Sequence, residues 1–558
     1  MLREVLFWLD ADAARYWTLA WLCFGGTTWA AWRTSGENTT TAPRANKLVF
    51  AMGVYATLAA FRWPAWFYPS DLNPDESQTI AGAITLLSNP IYWKSVDGTT
   101  HGPVCEFALV VAGWLGAPLN YVTARVMGTM LQATSVLASW GALRFVVGDR
   151  IARIACLPAL LFWCCVTWDD YVHYSSEVPA IFLLSVGAWL ATWALHAGIS
   201  LRRACLLAGL AGSFLGFIPF AKLQVAPLGL GVGLLACTII VRRHAGEHRR
   251  YLLAALLGGA TLPTAAVALY LTIYGLWAHF IPSYVVSAFA YVAVRQHAPI
   301  VMPGQFFNFS ATEPAFAWFF WGSLCYALFH AQVVAAVPRA RALCWALLGI
   351  AFYCVFKPGR EAAHYLQLLV WPLTLLTGTT LAAAWARKDD GRGARFALVP
   401  LLWLGLFAIL PQVYHRIVSW HRFVGHLAGH LAQPPPPAAI FLNEQSGPGD
   451  TIAMWGWETN LLVATGRPHG TREAHTANLL IDWPLRHYFI NRYLRDMERN
   501  QPAWFVDAVG PGAFMFDDRN RSGHETVPEL RDLIDANYKL VARFENKRVY
   551  RLTPRDAP

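Results

Sequence analysis

Two adjacent carboxylates, Asp75 and Glu76, follow Pro74 just after a long apolar run of the sequence. They lie in the polar stretch 67–102, between strongly apolar segments. Partial desolvation at a lipid–water boundary favours proton uptake by a carboxylate, so such a group can act as a general base. Proline and acidic residues are also favoured at a helix N-terminus. Capping of a helix that begins near Gln78 is therefore the alternative interpretation.

A second segment, residues 357–365, contains the cations Lys357 and Arg360 together with His364 and Tyr365. Arginine binds phosphate through two parallel hydrogen bonds, and lysine binds it as a point charge. Cations at the ends of membrane helices also extend toward water for reasons unrelated to a ligand. The Pro-Gly turn and the grouping of four such side chains favour a phosphate-binding role.

Lys222, followed by Gln224, lies between two apolar runs with almost no loop between them. Ionisable groups at such positions are candidates for function. Arg125 precedes another apolar run, where an anchoring role at the membrane interface is an equally good interpretation.

The segment 169–177 is a second acidic one and contains Asp169, Asp170, His173 and Glu177. It either positions the Asp75–Glu76 pair and a substrate or forms a polar turn. The sequence identifies no cofactor with certainty. A divalent metal ion is possible, with Asp75, Glu76 and Glu177 as its candidate ligands.

The elements that must position these residues are hydrophobic. Of the 558 residues, 56% are hydrophobic and only 14% are charged, against about 25% charged in typical soluble domains. The chain is therefore predicted to be a multi-pass membrane protein. From residue 440 onward, 15 Lys and Arg are balanced by 16 Asp and Glu, so the net charge of +10 arises in the apolar part. This distribution is typical of the positive-inside rule and argues against a nucleic-acid partner.

About twelve runs are long enough to cross a bilayer, which takes about 20 residues. They are 16–32, 47–68, 126–147, 151–169, 178–197, 203–221, 224–241, 251–273, 314–335, 341–356, 365–386 and 396–414. Basic clusters then fall in alternate loops. With those loops assigned to the cytoplasm, all candidate site residues lie on the outer face. The run 104–120 carries Glu106, and we interpret it as a helix at the outer interface; the run 16–32 either spans the membrane or lies in its plane.

The composition changes after the last run, at a Pro-rich linker over 433–440. Residues 441–558 are predicted to form a small α/β domain outside the membrane, with strands in 450–457, 502–509 and 547–552 and a helix over 527–538. The membrane domain is then 47–432, with a catalytic outer loop at 69–125, and residues 1–46 hold the first run and a cytoplasmic loop. The motif Trp455-Gly456-Trp457-Glu458 either stacks on a sugar or packs in a core, the second being the commoner case.

Four of these features together resemble the GT-C superfamily of glycosyltransferases that use polyprenyl-phosphate-linked sugars. They are Pro74-Asp75-Glu76, Arg125, Lys222-Leu223-Gln224 and Pro358-Gly359-Arg360 with His364-Tyr365. The closest branches are the bacterial protein O-mannosyltransferases and lipid A aminoarabinose transferases, and the resemblance covers about residues 45–415. The family often has Lys-Pro-Pro after the first loop. Here the corresponding residues are Thr100-His101-Gly102-Pro103, so His101 would replace that lysine.

The resemblance implies an inverting transfer from a polyprenyl-phosphate-linked sugar to a hydroxyl acceptor, on the outer face of a bacterial inner membrane. Asp75 would be the base and Glu76 its partner or a substrate contact. The donor phosphate would be bound by Arg125, Lys222, Arg360 and His364, with Tyr365 and Lys357 beside them. The acceptor would be a glycolipid, a glycan or a protein. Two other classes fit the composition: a transporter or flippase of envelope lipids or glycans, and a non-catalytic envelope-assembly protein. Charges at one surface and the absence of an internal repeat favour the enzyme over a transporter.

Overall fold

The computed structural model describes residues 11–32, 44–166, 169–293, 306, 313–329, 338–360, 362–385 and 435–553. The chain divides into two compact units, each discontinuous in sequence. The first, here called the membrane unit, comprises Met1–Phe67, Arg125–Leu269 and Arg295–Leu427. The second unit comprises Tyr68–Ala124, Tyr270–Val294 and Ala428–Pro558.

The membrane unit is helical throughout its described residues, and each helix below is assigned to the unit that holds most of it. Its helices are α1 (Ala11–Trp32), α2 (Arg44–Trp66), α5 (Tyr121–Val147), α6 (Asp149–Cys165), α7 (Asp169–Val172), α8 (Glu177–Ala194), α9 (Leu201–Ala221), α10 (Ala226–Arg243), α11 (Gly246–Ile273), α14 (Pro314–Phe329), α15 (Pro338–Phe356) and α16 (Val370–Trp385). Short 3₁₀ helices at Leu223–Val225 and Ala363–Leu369 precede α10 and α16. Apolar side chains cover these helices on nearly all sides, as in segments that contact both lipid and one another.

Eight helices in the described residues are long and apolar enough to cross a membrane. They confirm a multi-pass membrane protein. Of the twelve predicted spans, 396–414 lies outside the described residues. Three other predicted spans coincide with α1, α6 and α14. These helices are not both long enough and apolar enough to be counted with the eight. The run 104–120 contains only an 11-residue helix, α4 (Val104–Trp114). At 1.5 Å per residue, α4 is too short to cross a core about 30 Å thick.

The second unit mixes helices with one sheet. Its helices are α3 (Pro74–Ser88), α4, α12 (Trp277–Phe280), a π-helical turn (Ile281–Val286), α13 (Ser287–Ala293), α17 (Pro437–Gln445), α18 (Thr459–Thr465), α19 (Ala477–Leu480), α20 (Arg486–Asn500), α21 (Arg519–Ser522), a 3₁₀ turn (His524–Thr526) and α22 (Pro528–Asn537). Its strands are β1 (Ile452–Trp455), β2 (Trp504–Asp507), β3 (Tyr538–Phe544) and β4 (Lys547–Leu552). The sheet order is β1-β2-β4-β3, with β1 and β2 parallel and the other two pairs antiparallel.

The sheet is buried on both faces around β1 and β2, whose eight residues are all buried. One face packs on α20 and α22 through residues such as Phe489 and Ile534. The other packs on α17 and α18, and Ala81 of α3 belongs to that same core. The small C-terminal α/β fold predicted from the sequence is therefore present, and it is packed together with α3.

The stretch 67–102, predicted as a long polar loop, holds the 15-residue helix α3. Asn73 caps α3: its side-chain oxygen accepts the N–H of Asp75 at 2.9 Å. Pro74 occupies the first turn, where its missing N–H costs nothing, and Asp75 and Glu76 follow where acidic side chains complement the helix dipole. The helix starts four residues earlier than the predicted start near Gln78, because Asn73 rather than the acidic pair is the cap.

Candidate functional site

A break between two membrane helices positions Lys222. Helix α9 ends at Ala221, and Lys222 is extended, with φ of −153°, before the 3₁₀ turn that leads into α10. Its backbone N–H donates to Ile218 at 2.9 Å, and its carbonyl accepts from Val225 at 3.0 Å. The break turns this side chain into the unit, where it is only 3% exposed.

The Lys222 ammonium pairs with the Glu177 carboxylate at the first residue of α8. It also donates to the Ser176 hydroxyl at 2.8 Å and lies 4.8 Å from the centre of the Tyr365 ring. An ammonium has three N–H donors. Within the described residues two of them are used, so the third is available to a ligand.

His364 joins this group from the 3₁₀ helix before α16, a segment in which all seven residues are buried. Its Nε2 is 3.9 Å from Glu177, and its Nδ1 is 3.5 Å from Asp170. The ring also meets that of His173 edge-on, with 5.8 Å between their centres. We call Asp170, His173, Glu177, Lys222, His364 and Tyr365 the membrane cluster; all six were candidates from the sequence.

His173 is fixed from one side only. Its Nδ1 bonds the carbonyl oxygen of Asp169 at 2.9 Å. Its Nε2 is buried and has no hydrogen-bond partner among the described residues. With Nδ1 as donor to the carbonyl, Nε2 is left as an acceptor toward the cluster.

The other candidates of this unit lie outside the membrane cluster as defined here. Arg125, buried in α5, donates to the carbonyl of Ala65 at 3.0 Å. Gln224 donates to the carbonyl of Cys354 at 2.7 Å. Lys357 is exposed, and Arg360 is half-buried after the turn at Gly359, whose φ is 63°.

Two residues of the membrane unit escaped the sequence analysis. Arg62, buried in α2, donates to the carbonyl of Tyr171 at 3.4 Å. Gln367, fully buried, donates to the carbonyl of Asp170 at 2.9 Å. Arg62 could have been found from the sequence, since an arginine within an apolar membrane helix is costly and usually has a function. Gln367 could not have been found in this way, because its role depends on a partner far away in the sequence.

The acidic pair in the second unit separates into two environments. Glu76 is fully buried, and its carboxylate accepts the N–H of Leu72 at 3.3 Å. The Asp75 carboxylate is partly exposed and makes no hydrogen bond with the described residues. Glu76 therefore holds the chain that enters α3, whereas Asp75 is available for chemistry.

A third carboxylate beside them, Asp71, was not anticipated. It accepts a hydrogen bond from Ser77 at 3.1 Å. Burial raises the pKa of Asp71, and the nearby Glu76 adds to this effect. Asp71 is thus the second candidate for a base at the start of α3. In the sequence, only its position four residues before Asp75 could have pointed to this role.

His101 lies in a buried group of three side chains. Its Nε2 is 2.7 Å from Glu106 of α4, and the Tyr92 hydroxyl donates to the same carboxylate oxygen at 3.3 Å. The predicted substitution of His101 for the family's lysine stays a prediction. The geometry adds Glu106 as the group that fixes its imidazole.

A hydrogen-bonded chain leads from α3 to the C-terminal part of the unit. His475 Nδ1 accepts the N–H of Ala477 at 3.2 Å, so Nε2 carries the proton and donates to Gln78 at 3.1 Å. Gln78 in turn donates to the carbonyl of Gly98 at 3.2 Å. Thr459 bonds Ser77 at 2.8 Å and the carbonyl of Pro74 at 3.2 Å. The start of α3, with Asp75, is thereby fixed to the C-terminal domain.

The neutral state of His475 predicts sensitivity of this unit to acid. Burial lowers the pKa of His475 to about 4, although Asp75 and Asp97 oppose the shift, and burial lowers the pKa of His469 to about 3. A depressed histidine pKa gives stability that is present above the unfolded value near 6.5 and is lost as pH falls toward the folded value. Acidification from pH 7 to pH 5 should remove about 2 kcal/mol per histidine from the unfolding free energy.

This loss is measurable as the fall in thermal midpoint between pH 7 and pH 5. The double variant His469→Leu, His475→Gln should show a smaller fall than the unsubstituted protein. His487→Gln is the matched control, since His487 is exposed on α20. Equal falls in all three proteins would contradict the assignment.

A buried ion network also joins 91–101 to the C-terminal domain. Arg492 bonds Asp97 and Glu473, each at 2.6 Å. Arg472 bonds Asp496 at 2.7 Å and donates to the carbonyl of Trp93 at 3.0 Å. All five of these charged side chains are at most 2% exposed, so each depends on its partners.

Among the described residues, one group of three could bind a metal ion: Asp507, His524 and Glu525, with ligand atoms within 4.8 Å of one another. Arg519 donates to Asp507 at 2.6 Å and to Glu525 at 3.1 Å. A guanidinium already neutralises these carboxylates, so the group does not fit a cation unless Arg519 moves away. In the membrane cluster Glu177 is likewise bound to an ammonium. The predicted ligands Asp75, Glu76 and Glu177 stay a prediction.

No protein-family model and no curated protein sequence matches the chain. The crystal structure of ArnT from Cupriavidus metallidurans bound to undecaprenyl phosphate is similar, with 14% identity, a TM-score of 0.55 and coverage of 91% of this chain and 98% of that chain. Its apo state has 14% identity, a TM-score of 0.53 and coverage of 89% and 97%. At this identity the likeness establishes the fold. It confirms the GT-C-like fold class predicted from the sequence: a polytopic helical protein with a small C-terminal α/β domain.

Proposed function

We propose that the protein is an integral membrane glycosyltransferase of GT-C type. It would transfer a sugar from a polyprenyl-phosphate-linked donor to a hydroxyl acceptor, with inversion, on the outer face of a bacterial inner membrane. The observation that carries the proposal is the membrane cluster. Its Lys222, Glu177 and His364 are buried in an apolar helical unit, where ionisable side chains are costly and mark substrate sites.

The ligand class follows from the donors. The free N–H of Lys222 and the imidazole of His364 are suited to an anionic group, and Glu177 orients the ammonium without using all its donors. A polyprenyl phosphate has its anion at the end of a lipid chain, which suits such a place. The similar ArnT structure contains undecaprenyl phosphate, and this supports the choice. Arg125, Arg360, Lys357 and Tyr365 remain proposed donor contacts, and Gln224 and Asp169 proposed supports.

The reaction balances without a further reactant. The Asp75 carboxylate removes the acceptor hydroxyl proton, and the acceptor oxygen forms a bond to the anomeric carbon. The bond from that carbon to the phosphate oxygen breaks, and its electron pair stays on the phosphate. The products are the inverted glycoside and a polyprenyl phosphate whose charge Lys222 and His364 stabilise.

The membrane cluster is tested through donor affinity. His364→Gln removes a hydrogen bond to a charged group, which is worth about 1.5–3 kcal/mol. We therefore expect the KM for donor to rise about 10–100-fold. The assay measures release of undecaprenyl phosphate from undecaprenyl-phosphate-linked hexoses and pentoses in proteoliposomes. His248→Gln, at an exposed position in the first turn of α11, is the control. Equal donor KM values for His364→Gln and the unsubstituted protein, or no release from any such donor, would refute the proposal.

A further inference from the structure

A group of aromatic side chains adjoins the start of α3 and has no role in the transfer described so far. Trp457 stacks on the imidazole of His475, with 3.9 Å between the centres and an angle of 6° between the planes. Phe514 meets the same indole edge-on at 5.3 Å. We call Trp457, His475 and Phe514 the aromatic platform.

The platform lies at an edge of the sheet that favours ligand binding. Trp457 follows β1 and Phe514 follows β2, and these two strands are parallel. Loops after the carboxyl ends of parallel strands line the binding crevice in α/β sheets. Gly456 makes the turn that presents Trp457: its φ is 103°, and a Cβ there would be 3.1 Å from the carbonyl of Ala508.

The platform is joined to the proposed base by short paths. His475 donates to Gln78, one turn after Asp75 on α3. Thr459, two residues after Trp457, bonds the carbonyl of Pro74 at 3.2 Å. Asp75 acts electrostatically on His475 as well. A ligand on the platform would therefore lie beside the Asp75 carboxylate.

The platform is incomplete as a protein core. Phe514 is 47% exposed and Met515 is 59% exposed. Met515 also has a φ of 62°, an uncommon value for a non-glycine residue and one of the backbone strains that cluster at functional sites. The indole N–H of Trp457 is buried and has no acceptor among the described residues. A buried donor without a hydrogen-bond acceptor destabilises the fold by about 1–3 kcal/mol. A ligand hydroxyl that accepted this hydrogen bond would remove that cost.

We propose that the aromatic platform binds a sugar ring of the acceptor, so that the acceptor is a carbohydrate: a glycolipid headgroup or a glycan. The inference rests on the proposed glycosyl transfer. The apolar C–H face of a pyranose packs on an indole ring, while its hydroxyls need acceptors and donors at the edge. The Asp75 carboxylate, which acts electrostatically on His475, and the Trp457 N–H would provide them. A peptide hydroxyl presents no such flat face.

Binding is tested first without catalysis, on the full chain in nanodiscs. The probes are methyl α-mannopyranoside, N-acetylglucosamine and chitobiose, with the peptide acetyl-Ser-Thr-Ser-Thr-amide as the protein-type acceptor. Saturation-transfer difference NMR should show saturation of sugar ring protons. We expect the signal to fall at least fivefold in Trp457→Ala and partly in Trp457→Phe. Trp114→Ala, at an exposed tryptophan of α4, should leave it unchanged.

Kinetics separates this inference from the proposed function. Trp457→Ala should raise the acceptor KM at least tenfold and leave acceptor-independent release of undecaprenyl phosphate unchanged. Equal sugar signals in Trp457→Ala and the unsubstituted protein, no sugar signal at all, or Trp457-dependent peptide binding would overturn the carbohydrate assignment. The unsubstituted protein could bind sugars through Trp457 and yet cleave no lipid-linked donor. That result would refute the proposed glycosyl transfer and would support the sugar-binding site. Trp457→Phe, which keeps an aromatic ring in the same packing, covers the case in which Trp457→Ala does not fold.

Discussion

Replacement of Asp75 by Asn is expected to lower the turnover of sugar transfer by about 10²–10⁴-fold, the usual contribution of a general base. The amide is isosteric with the carboxylate but takes up no proton from the acceptor hydroxyl. Folding should be retained, because the Asp75 carboxylate makes no hydrogen bond with the described residues, and the cap of α3 binds its backbone N–H. The measurement is single-turnover sugar transfer in proteoliposomes, with thermal unfolding of the same samples.

Two neighbours are the controls for this result. Asp71→Asn removes the other carboxylate at the start of α3, whose pKa is raised by burial. It should reduce turnover far less than Asp75→Asn. Glu76→Gln weakens the bond to the Leu72 N–H, so it should lower stability more than the Asp75 change does. A large loss of turnover in Asp71→Asn together with normal turnover in Asp75→Asn would transfer the role of base to Asp71.

Arg492→Met is expected to be the most destabilising single change in the second unit, by about 3–5 kcal/mol. The guanidinium is 2% exposed and neutralises Asp97 and Glu473, which are themselves 2% and 0% exposed. Burial alone would lower the pKa of Arg492, but Glu473 and Asp97 raise it above its usual value, so the cation is strongly favoured in the fold. Its removal leaves two buried carboxylates without a counter-charge. Because a domain is stabilised by only about 5–15 kcal/mol, this loss should be visible in denaturant unfolding.

Arg499→Met is the matched control for this change. Arg499 lies on the same helix and pairs with Asp496, but its side chain is 47% exposed, and exposed pairs contribute about 0–1 kcal/mol. A double-mutant cycle with Asp97→Asn should give a coupling energy above about 1 kcal/mol. Equal unfolding free energies for Arg492→Met and Arg499→Met would contradict a buried network that holds 91–101 on the C-terminal domain.

Local features of the fold could be read from the sequence. Long apolar runs form helices because every backbone hydrogen bond is made within the helix. Eleven of the twelve predicted runs coincide with helices of the described residues, although only eight combine the length and hydropathy of a span. The strands around Trp455, Phe505 and Val549 were likewise predicted from short β-branched and aromatic runs. A helix beginning near Gln78 was only the alternative interpretation of Pro74-Asp75-Glu76; the structure has a helix from Pro74, capped by Asn73.

Contacts between distant residues were decided by tertiary packing alone. Glu177 and Lys222 lie 45 residues apart, and Gln78 and His475 lie 397 apart. Glu177 and Lys222 were site candidates from the sequence, whereas Gln78 and His475 were not. The sequence could not pair any of these residues, because a buried charge pairs with a group that packing brings close to it. Packing also made Asp75 and Glu76 different. The Glu76 carboxylate accepts a hydrogen bond from a backbone N–H, whereas the Asp75 carboxylate accepts none from the described residues. The residue types determined which chemistry was possible, and the desolvation and partners supplied by the fold decided which residues are placed to perform it.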